Sequence, residues 1–330
     1  MSVISVVTGG AGFIGSHLVD LLLERGHEVR VIDNLSGGHK SNLEHHSATM
    51  KLRCEWQDIN TLTPDSAIFE GASYCFHLAG IGDIVPSIEQ PAKYMQTNIQ
   101  GTINVLEAAR HANIKKFVYA SSSSCYGLAA TPTNEDHPIL AQYPYALSKY
   151  LGEQAVFHWG QVYRLPVNAI CIFNAYGTRV RTTGVYGAVF GVFLKQKLAG
   201  KPFTVVGDGT QTRDFVYVTD VARAFLAAAE TQYCGERFNI GAGKPQSINY
   251  LVKLLGGNVQ YVPKRPGEPE VTFADITKSN DMLGWASQIP FEDGVEKMLA
   301  DIARWQNAPL WDPESISKAT ETWFKYLKRE

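Results

Sequence analysis

Short apolar runs alternate with helical periodicity through the first half of the chain. Ile4 to Thr8, Val29 to Asp33, Lys51 to Gln57, Tyr74 to Ala79, Lys116 to Ser121 and Val167 to Phe173 read as strands. Between them, apolar residues at helical spacing predict helices from about Phe13 to Arg25, Tyr94 to Ala112 and Tyr145 to Tyr163. Strands that alternate with helices predict parallel βαβ units in a doubly wound α/β sheet, with right-handed crossovers and helices on both faces. The second half is less regular. Gly184 to Leu198 reads as helix, Gly207 to Thr210 as a turn, Arg213 to Val218 as strand, Val221 to Glu230 as helix and Arg237 to Gly241 as a return strand. Pro263 to Pro269 is a loop rich in Pro, Gly and charge, and the remainder is helical with polar stretches. No internal repeat or low-complexity linker interrupts this pattern. The expected organisation is one unit over 1–174, with a return segment near 213–241, and a smaller mixed α/β lobe over 175–330.

Composition narrows the partners. A chain of 330 residues with 45% apolar content can bury a sizeable core. A formal net charge of -2 and a pI near 6.5 argue against nucleic acid, whose binders carry a visible excess of cations. No uninterrupted apolar run of about 18 residues is present, so no membrane span is expected. The N-terminal Met1-Ser2-Val3-Ile4 lacks the basic region of a signal peptide and enters a strand-like run at once. Five cysteines, Cys54, Cys75, Cys125, Cys171 and Cys234, are scattered without CxxC spacing and read as reduced thiols of a cytoplasmic protein. The nine histidines form no HExxH-type pattern; His39, His45 and His46 share one polar stretch that reads as a solvated loop, so no metal is expected.

Three segments carry chemistry. Thr8-Gly9-Gly10-Ala11-Gly12-Phe13-Ile14-Gly15 joins the first strand to the first helix with GxxGxxG spacing. Glycine permits the tight turn, and the helix N-terminus offers N–H donors and a positive dipole end to a pyrophosphate. Asp33 ends the second strand, where a carboxylate can accept from ribose hydroxyls and would repel a 2′-phosphate, so NAD is favoured over NADP. Asp58 ends the third strand and is either an adenine contact or a plain loop residue. Tyr145 and Lys149 lie four apart on one face of a helix start. A nearby ammonium favours a phenolate, and a phenol that loses its proton readily can serve as a base toward an alcohol. Ser121 to Ser124 follow a strand's carboxyl end, which in a doubly wound sheet borders the ligand crevice.

Together these residues resemble the extended short-chain dehydrogenase/reductase family, within it the nucleotide-sugar epimerases and dehydratases, and most of all the UDP-glucose and UDP-N-acetylglucosamine 4-epimerases. The resemblance runs along nearly the whole chain: TGGAGFIG, HLAG from His77, TNIQGT from Thr97, SSSSCYG, YALSK, FNAYG from Phe173, GDGTQTRDFVYVTDVARA from Gly207, FNIGAG from Phe238 and RPGEPEVTFAD from Arg265. It implies a Rossmann-type NAD domain over 1–174 and a nucleotide-sugar-binding lobe over 175–330. Gly9, Gly12, Phe13, Ile14 and Gly15 should hold the pyrophosphate, with Asp33, Asn34, Asp58, Ile59, Ala79 and Asn98 lining the cofactor. Tyr145 should be the base, and Lys149 should bind the nicotinamide ribose and lower the tyrosine's pKa. Ser122 should bond the reacting sugar oxygen, assisted by Ser123 and Ser124, and Asn174, Arg213 and Arg265 should hold the nucleotide diphosphate. Paired phosphates suit the forked arginine donors.

Two departures from the family pattern, Gly80 for a second alanine and Cys171 for a frequent arginine, fall away from the expected chemistry. The segment Thr178 to Thr183 either shapes sugar specificity or is a solvated loop. The resemblance also bears on the reaction. Related dehydratases carry an acidic pair, and decarboxylases a Glu, where this chain has Ser123 and Ser124. Elimination needs an acid to protonate the departing hydroxyl. The expectation is therefore C4 epimerisation of a UDP-hexose or UDP-N-acetylhexosamine through a 4-keto sugar, in polysaccharide biosynthesis. The alternatives are a uronic-acid epimerase, a dehydratase, a reductase or a non-catalytic NAD-binding regulator. Thr272, counted from Arg265, should border the sugar's C2 substituent. The helices around Gln100 to Ala112 and Tyr145 to Tyr163 should pair with their copies in a homodimer.

Overall fold

The computed structural model describes residues 2–182 and 189–327. Thr183 and residues 184–188, which hold the start of the expected helix from Gly184 and the end of the Thr178 to Thr183 segment, lie outside the described residues.

The β-branched run Ile4–Thr8 forms β1, and α1 (Phe13–Glu24) follows the glycine turn. Next come β2 (Glu28–Ile32), β3 (Leu52–Glu55), β4 (Tyr74–His77), α2 (Ile84–Glu89) and α3 (Pro91–Met95). A π-helical turn over Gln96–Gln100 joins α3 to α4 (Gly101–His111). The single helix expected from Tyr94 is thus broken by one wide turn, a feature frequent at functional sites. β5 (Lys116–Ser122), α5 (Pro144–Tyr163), β6 (Val167–Ile172), β7 (Ala175–Tyr176), α6 (Val189–Leu198) and β8 (Phe203–Val206) complete the middle of the chain.

The strand expected from Arg213 to Val218 is two short ones, β9 (Thr212–Arg213) and β10 (Val216–Tyr217). Asp214 interrupts it. The buried Asp214 carboxylate accepts from the backbone N–H groups of Ala242 (2.8 Å), Ala274 (2.9 Å) and Gly243 (3.3 Å) and so ties three segments together. α7 (Val218–Glu230) then begins three residues before the expected Val221. β11 (Glu236–Ile240), β12 (Gln246–Ser247), α8 (Ile248–Leu255), β13 (Val259–Val262), α9 (Thr277–Leu283), α10 (Phe291–Ala300), α11 (Pro313–Ala319) and α12 (Glu321–Leu327) follow.

Seven parallel strands make one sheet in the order β11-β6-β5-β4-β1-β2-β3. This is a Rossmann-like sheet, and its order reverses between β1 and β4, which opens a crevice at their carboxyl ends. The return strand expected near Arg237 is β11, which pairs with β6 at the sheet edge, and α7 packs on α1. One apolar core lies between the sheet and α1 with α7, and a second lies under α4 and α5. A third, rich in aromatic residues, fills the smaller lobe around Tyr176, Phe190, Phe215, Phe291 and Trp305. Each large side chain of this kind contributes roughly 1.5–3 kcal/mol on burial. Two-stranded pairs β8–β13, β7–β10 and β9–β12 frame that lobe.

His45 and His46 are less free than a solvated loop implies. Both Nε2 atoms bond Asp20 Oδ1, at 2.9 and 2.7 Å, while Arg179 pairs with the other Asp20 oxygen at 2.8 Å. No helix among the described residues is long and apolar enough to cross a membrane.

Candidate active site

The glycine turn has the shape its sequence demands. Gly9 has φ +71°, and a Cβ there would lie 2.7 Å from the Ala79 backbone nitrogen. A Cβ at Gly15 would run into the Gly9 carbonyl, so the helix packs onto the turn only with glycine at that position. Gly12 caps α1 with no side-chain hydrogen bond, which leaves the leading N–H groups, those of Phe13 and Ile14, available to an anion. Asp33 is buried and bonds this turn: Oδ2 accepts from Ala11 N (3.0 Å) and Oδ1 from Leu35 N (2.7 Å). Burial holds its carboxyl above the usual range. Each oxygen keeps a further lone pair for a ribose hydroxyl. Asn34 donates to Asp58 Oδ2 (2.8 Å), and Asp58 Oδ1 caps the turn that starts at Ile59. The Ile59 side chain itself is core, against Gly101. These features fit a dinucleotide: a cradle closed to any side chain, uncapped helix donors and an acceptor at the end of β2.

Asn98 sits in the π-helical turn and is buried. Its amide donates to the Ile81 carbonyl and to Ser148 Oγ, both 2.9 Å, and its Oδ1 accepts from Ile81 N at 2.9 Å. It pins the loop after β4 to α5. Gly80 belongs to this contact, contrary to its expected remoteness: a Cβ there would lie 2.9 Å from Asn98 Oδ1 and 3.9 Å from Lys149 Nζ. Below, His77 bridges Thr8 Oγ1 (2.7 Å) and Thr102 Oγ1 (2.9 Å), and burial pushes its imidazole down to about 3.

Tyr145 and Lys149 project from the first turns of α5, and Ser122 closes β5. The Ser122 hydroxyl hydrogen-bonds the Tyr145 phenol and draws its pKa down, but burial outweighs this and leaves it well above the ordinary tyrosine value. Lys149 is buried, its ammonium lies 4.2 Å over the Tyr119 ring, and desolvation lowers it to about 8. Tyr143 stacks on Tyr145 at 6.4 Å and is held by Ser124.

Beside this trio a cavity of about 450 Å³ opens between the sheet and the smaller lobe. Ser123, Ser124, Asn174, Arg213, Arg265 and Thr272 line it. Ser122 and Tyr145 adjoin it through Tyr143 and Gly82, where a Cβ would lie 3.9 Å from the Tyr145 hydroxyl. Thr272 donates to Asn174 Oδ1 (2.6 Å) and accepts from Asp214 N (3.1 Å). Sequence reasoning missed Glu268, whose two oxygens pair with Arg213 (2.8 Å) and Arg265 (3.0 Å) and hold the guanidiniums side by side. The three-residue spacing from Arg265 was the available signal. It also missed Asp83 on the cavity wall, paired with Arg181 at 2.7 Å, and Trp323 from the far end of the chain.

Known proteins share this chain's sequence pattern and fold. The model of the NAD dependent epimerase/dehydratase family matches residues 5–241. A UDP-glucose 4-epimerase of Mycolicibacterium smegmatis is 36% identical over 305 residues, 89% of this chain and 96% of that one. The structure of a UDP-N-acetylglucosamine 4-epimerase from Methanobrevibacter ruminantium, in complex with UDP-N-acetylmuramic acid, is similar at TM-score 0.86 and 32% identity, over 92% of this chain and 98% of that one. A UDP-glucuronic acid 4-epimerase from Bacillus cereus, crystallised with UDP-glucuronic acid and NAD, matches at TM-score 0.85 and 31% identity, over 91% and 99%.

Proposed function

The chain belongs to the NAD dependent epimerase/dehydratase family, and from that premise we propose that it inverts C4 of a UDP-hexose or UDP-N-acetylhexosamine through a transient 4-keto sugar. The observation that carries this reading is the bond of Ser122 to Tyr145, with Lys149 one turn further along the same helix, beside a cavity that also presents Arg213 and Arg265. Bound NAD supplies a reversible hydride acceptor with a positively charged ring. Tyr145 takes the proton from the sugar's 4-hydroxyl and later returns it, with Ser122 bonding the same oxygen. Lys149 keeps most of its charge at neutral pH, since its pKa lies near 8, and that charge favours the phenolate. The ketone turns about its diphosphate link while the arginine pair holds the phosphates, and reduction on the other face completes the inversion.

Elimination is disfavoured by the same site. Among the described residues, the carboxylates on the cavity wall are Asp83 and Glu268, and both are paired to arginines. The hydroxyls and thiol of Ser121 to Cys125 offer no acid for a leaving hydroxyl. Threonine at position 272 in place of a ring supports room for an N-acetyl group at C2. A panel of UDP-hexoses, UDP-N-acetylhexosamines and UDP-hexuronates, incubated with the enzyme and read by NMR, tests the proposal. Inversion at C4 without net redox change is expected. A 4-keto-6-deoxy product, or turnover confined to the uronates, would replace it.

A further inference from the structure

Trp323 is 58 residues beyond Arg265 in sequence yet belongs to the same cavity. It lies on α12, is 5% exposed, and its indole N–H donates to the Pro266 carbonyl at 2.7 Å. The Arg265 guanidinium sits over the indole ring, 5.6 Å from its centroid. The ring also lies 6.2 Å from Tyr143, which stacks on Tyr145. The adjacent Thr322 hydroxyl donates to Glu89 Oε1 on α2 at 3.0 Å, and α12 packs on α2. The last described helix therefore grips α2 and, at the same time, the loop that carries Arg265.

We infer that Trp323 is a positioning residue for the nucleotide diphosphate, acting through Arg265; this rests on the nucleotide-sugar reading of the cavity. An arginine binds phosphate well only when its planar fork is presented in a fixed orientation. Arg265 follows Lys264 in a Pro- and Gly-rich loop whose Gly267 has φ +72°, a segment with no helix or strand to fix it. Glu268 fixes one edge of the guanidinium. The indole face supplies the second constraint by cation–π attraction, and the Pro266 hydrogen bond anchors the backbone next door. Held between the Glu268 carboxylate and the indole face, the guanidinium keeps one orientation on the cavity wall.

The test is UDP binding by calorimetry, with steady-state kinetics on a turned-over UDP-sugar, using the full-length NAD-loaded enzyme. Trp323→Ala should weaken UDP about tenfold and raise KM to match, with kcat within about threefold. Trp323→Leu, which keeps apolar bulk without a π face, should lose nearly as much, and Trp323→Phe should recover part of the loss. In an Arg265→Ala background, Trp323→Ala should add little, because neighbours that act through one contact are not additive. If Trp323→Ala melts early, the Leu and Phe variants carry the comparison. UDP affinity unchanged in the Leu variant, or losses that multiply fully in the double variant, would overturn the inference. Failure of the unmodified enzyme to bind UDP would bring down the nucleotide-sugar reading, and this inference with it.

Discussion

Tyr145 and Lys149 are a costly pair to bury, and the proposed mechanism gives each a role. Tyr145→Phe keeps the ring and removes the proton acceptor, so kcat should fall about 10²–10⁴-fold; steady-state rates near normal in a folded variant would remove Tyr145 as the base. Lys149 has a folded pKa near 8 against about 10.4 for an unfolded lysine. The folded state thus binds fewer protons between those values, and stability rises with pH across that window. Below pH 8 the whole penalty is present. Lys149→Met should therefore raise the melting temperature of cofactor-free protein at pH 7, by the equivalent of about 3 kcal/mol, while activity collapses. The gain should shrink at pH 9 and vanish above about pH 11; a variant that melts lower at pH 7 contradicts the sign. Thr272→Tyr fills the cavity wall and also breaks the bonds to Asn174 and Asp214. Those broken bonds penalise every substrate alike, so the informative quantity is a ratio. kcat/KM for the N-acetylhexosamine nucleotide should fall at least about tenfold further than for the plain hexose. Equal losses would show that position 272 does not sense sugar size. The sequence pointed to these residues because each stands in an ordered motif. Asp83 and Trp323 were not legible in that way, since their partners Arg181 and Arg265 meet them only after the chain has folded; Glu268 lay inside the quoted motif, three residues from Arg265, and was passed over.

Elements were legible in proportion to the length of their periodic run. The seven sheet strands were all anticipated: six are runs with β-branched or aromatic residues that the sheet buries, and β3 was legible only within the longer stretch Lys51 to Gln57. In the smaller lobe, β9 and β10 were anticipated as one strand, while β7 and β12, at two residues each, are too short for alternation to register. The π-helical turn was invisible for a different reason. Its residues have helical spacing, and only the fit of Asn98 between Ile81 and Ser148 records the wider turn. The split of β9 from β10 follows from a buried acid that prefers three backbone donors to a strand register. A similar acid, Asp220 on α7, is 1% exposed and accepts from Ser287 Oγ, Gln288 N, Ile289 N and Arg223. Asp220→Ala would orphan these donors around one cavity, so urea unfolding should show a loss of about 3 kcal/mol. Asp220→Asn retains one acceptor and should lose less. Asp220 does not line the substrate cavity, so the surviving folded fraction should turn over normally. A loss under about 1 kcal/mol for the alanine variant would mean that water replaces the carboxylate.

At the scale of the molecule, α5 works on two sides. Its buried face carries Ser148, Lys149, Gly152, Glu153 and Val156 against the sheet. Its other face leaves Leu147 40%, Leu151 38% and Val162 52% exposed, with Tyr163 at 48% beside Arg110 of α4. Leu147, Leu151 and Val162 recur at four- and eleven-residue intervals, which lines them along one side of the helix. An exposed apolar stripe marks a surface that meets another protein more often than one that stays wet. Two copies related by a two-fold axis would bury the stripe against itself and bring both α4 helices alongside, giving four helices in one interface. The pairing would also brace the helix that holds Tyr145 and Lys149, which links assembly to the precision of the site. Light scattering at micromolar concentration should give about twice the chain mass of 36.4 kDa for the unmodified enzyme. Leu151→Glu with Val162→Glu places four like charges in the proposed interface and should give the single-chain mass with NAD still bound. A dimer that survives this double change would move the interface elsewhere, and a monomeric unmodified enzyme would mean that the stripe meets only solvent.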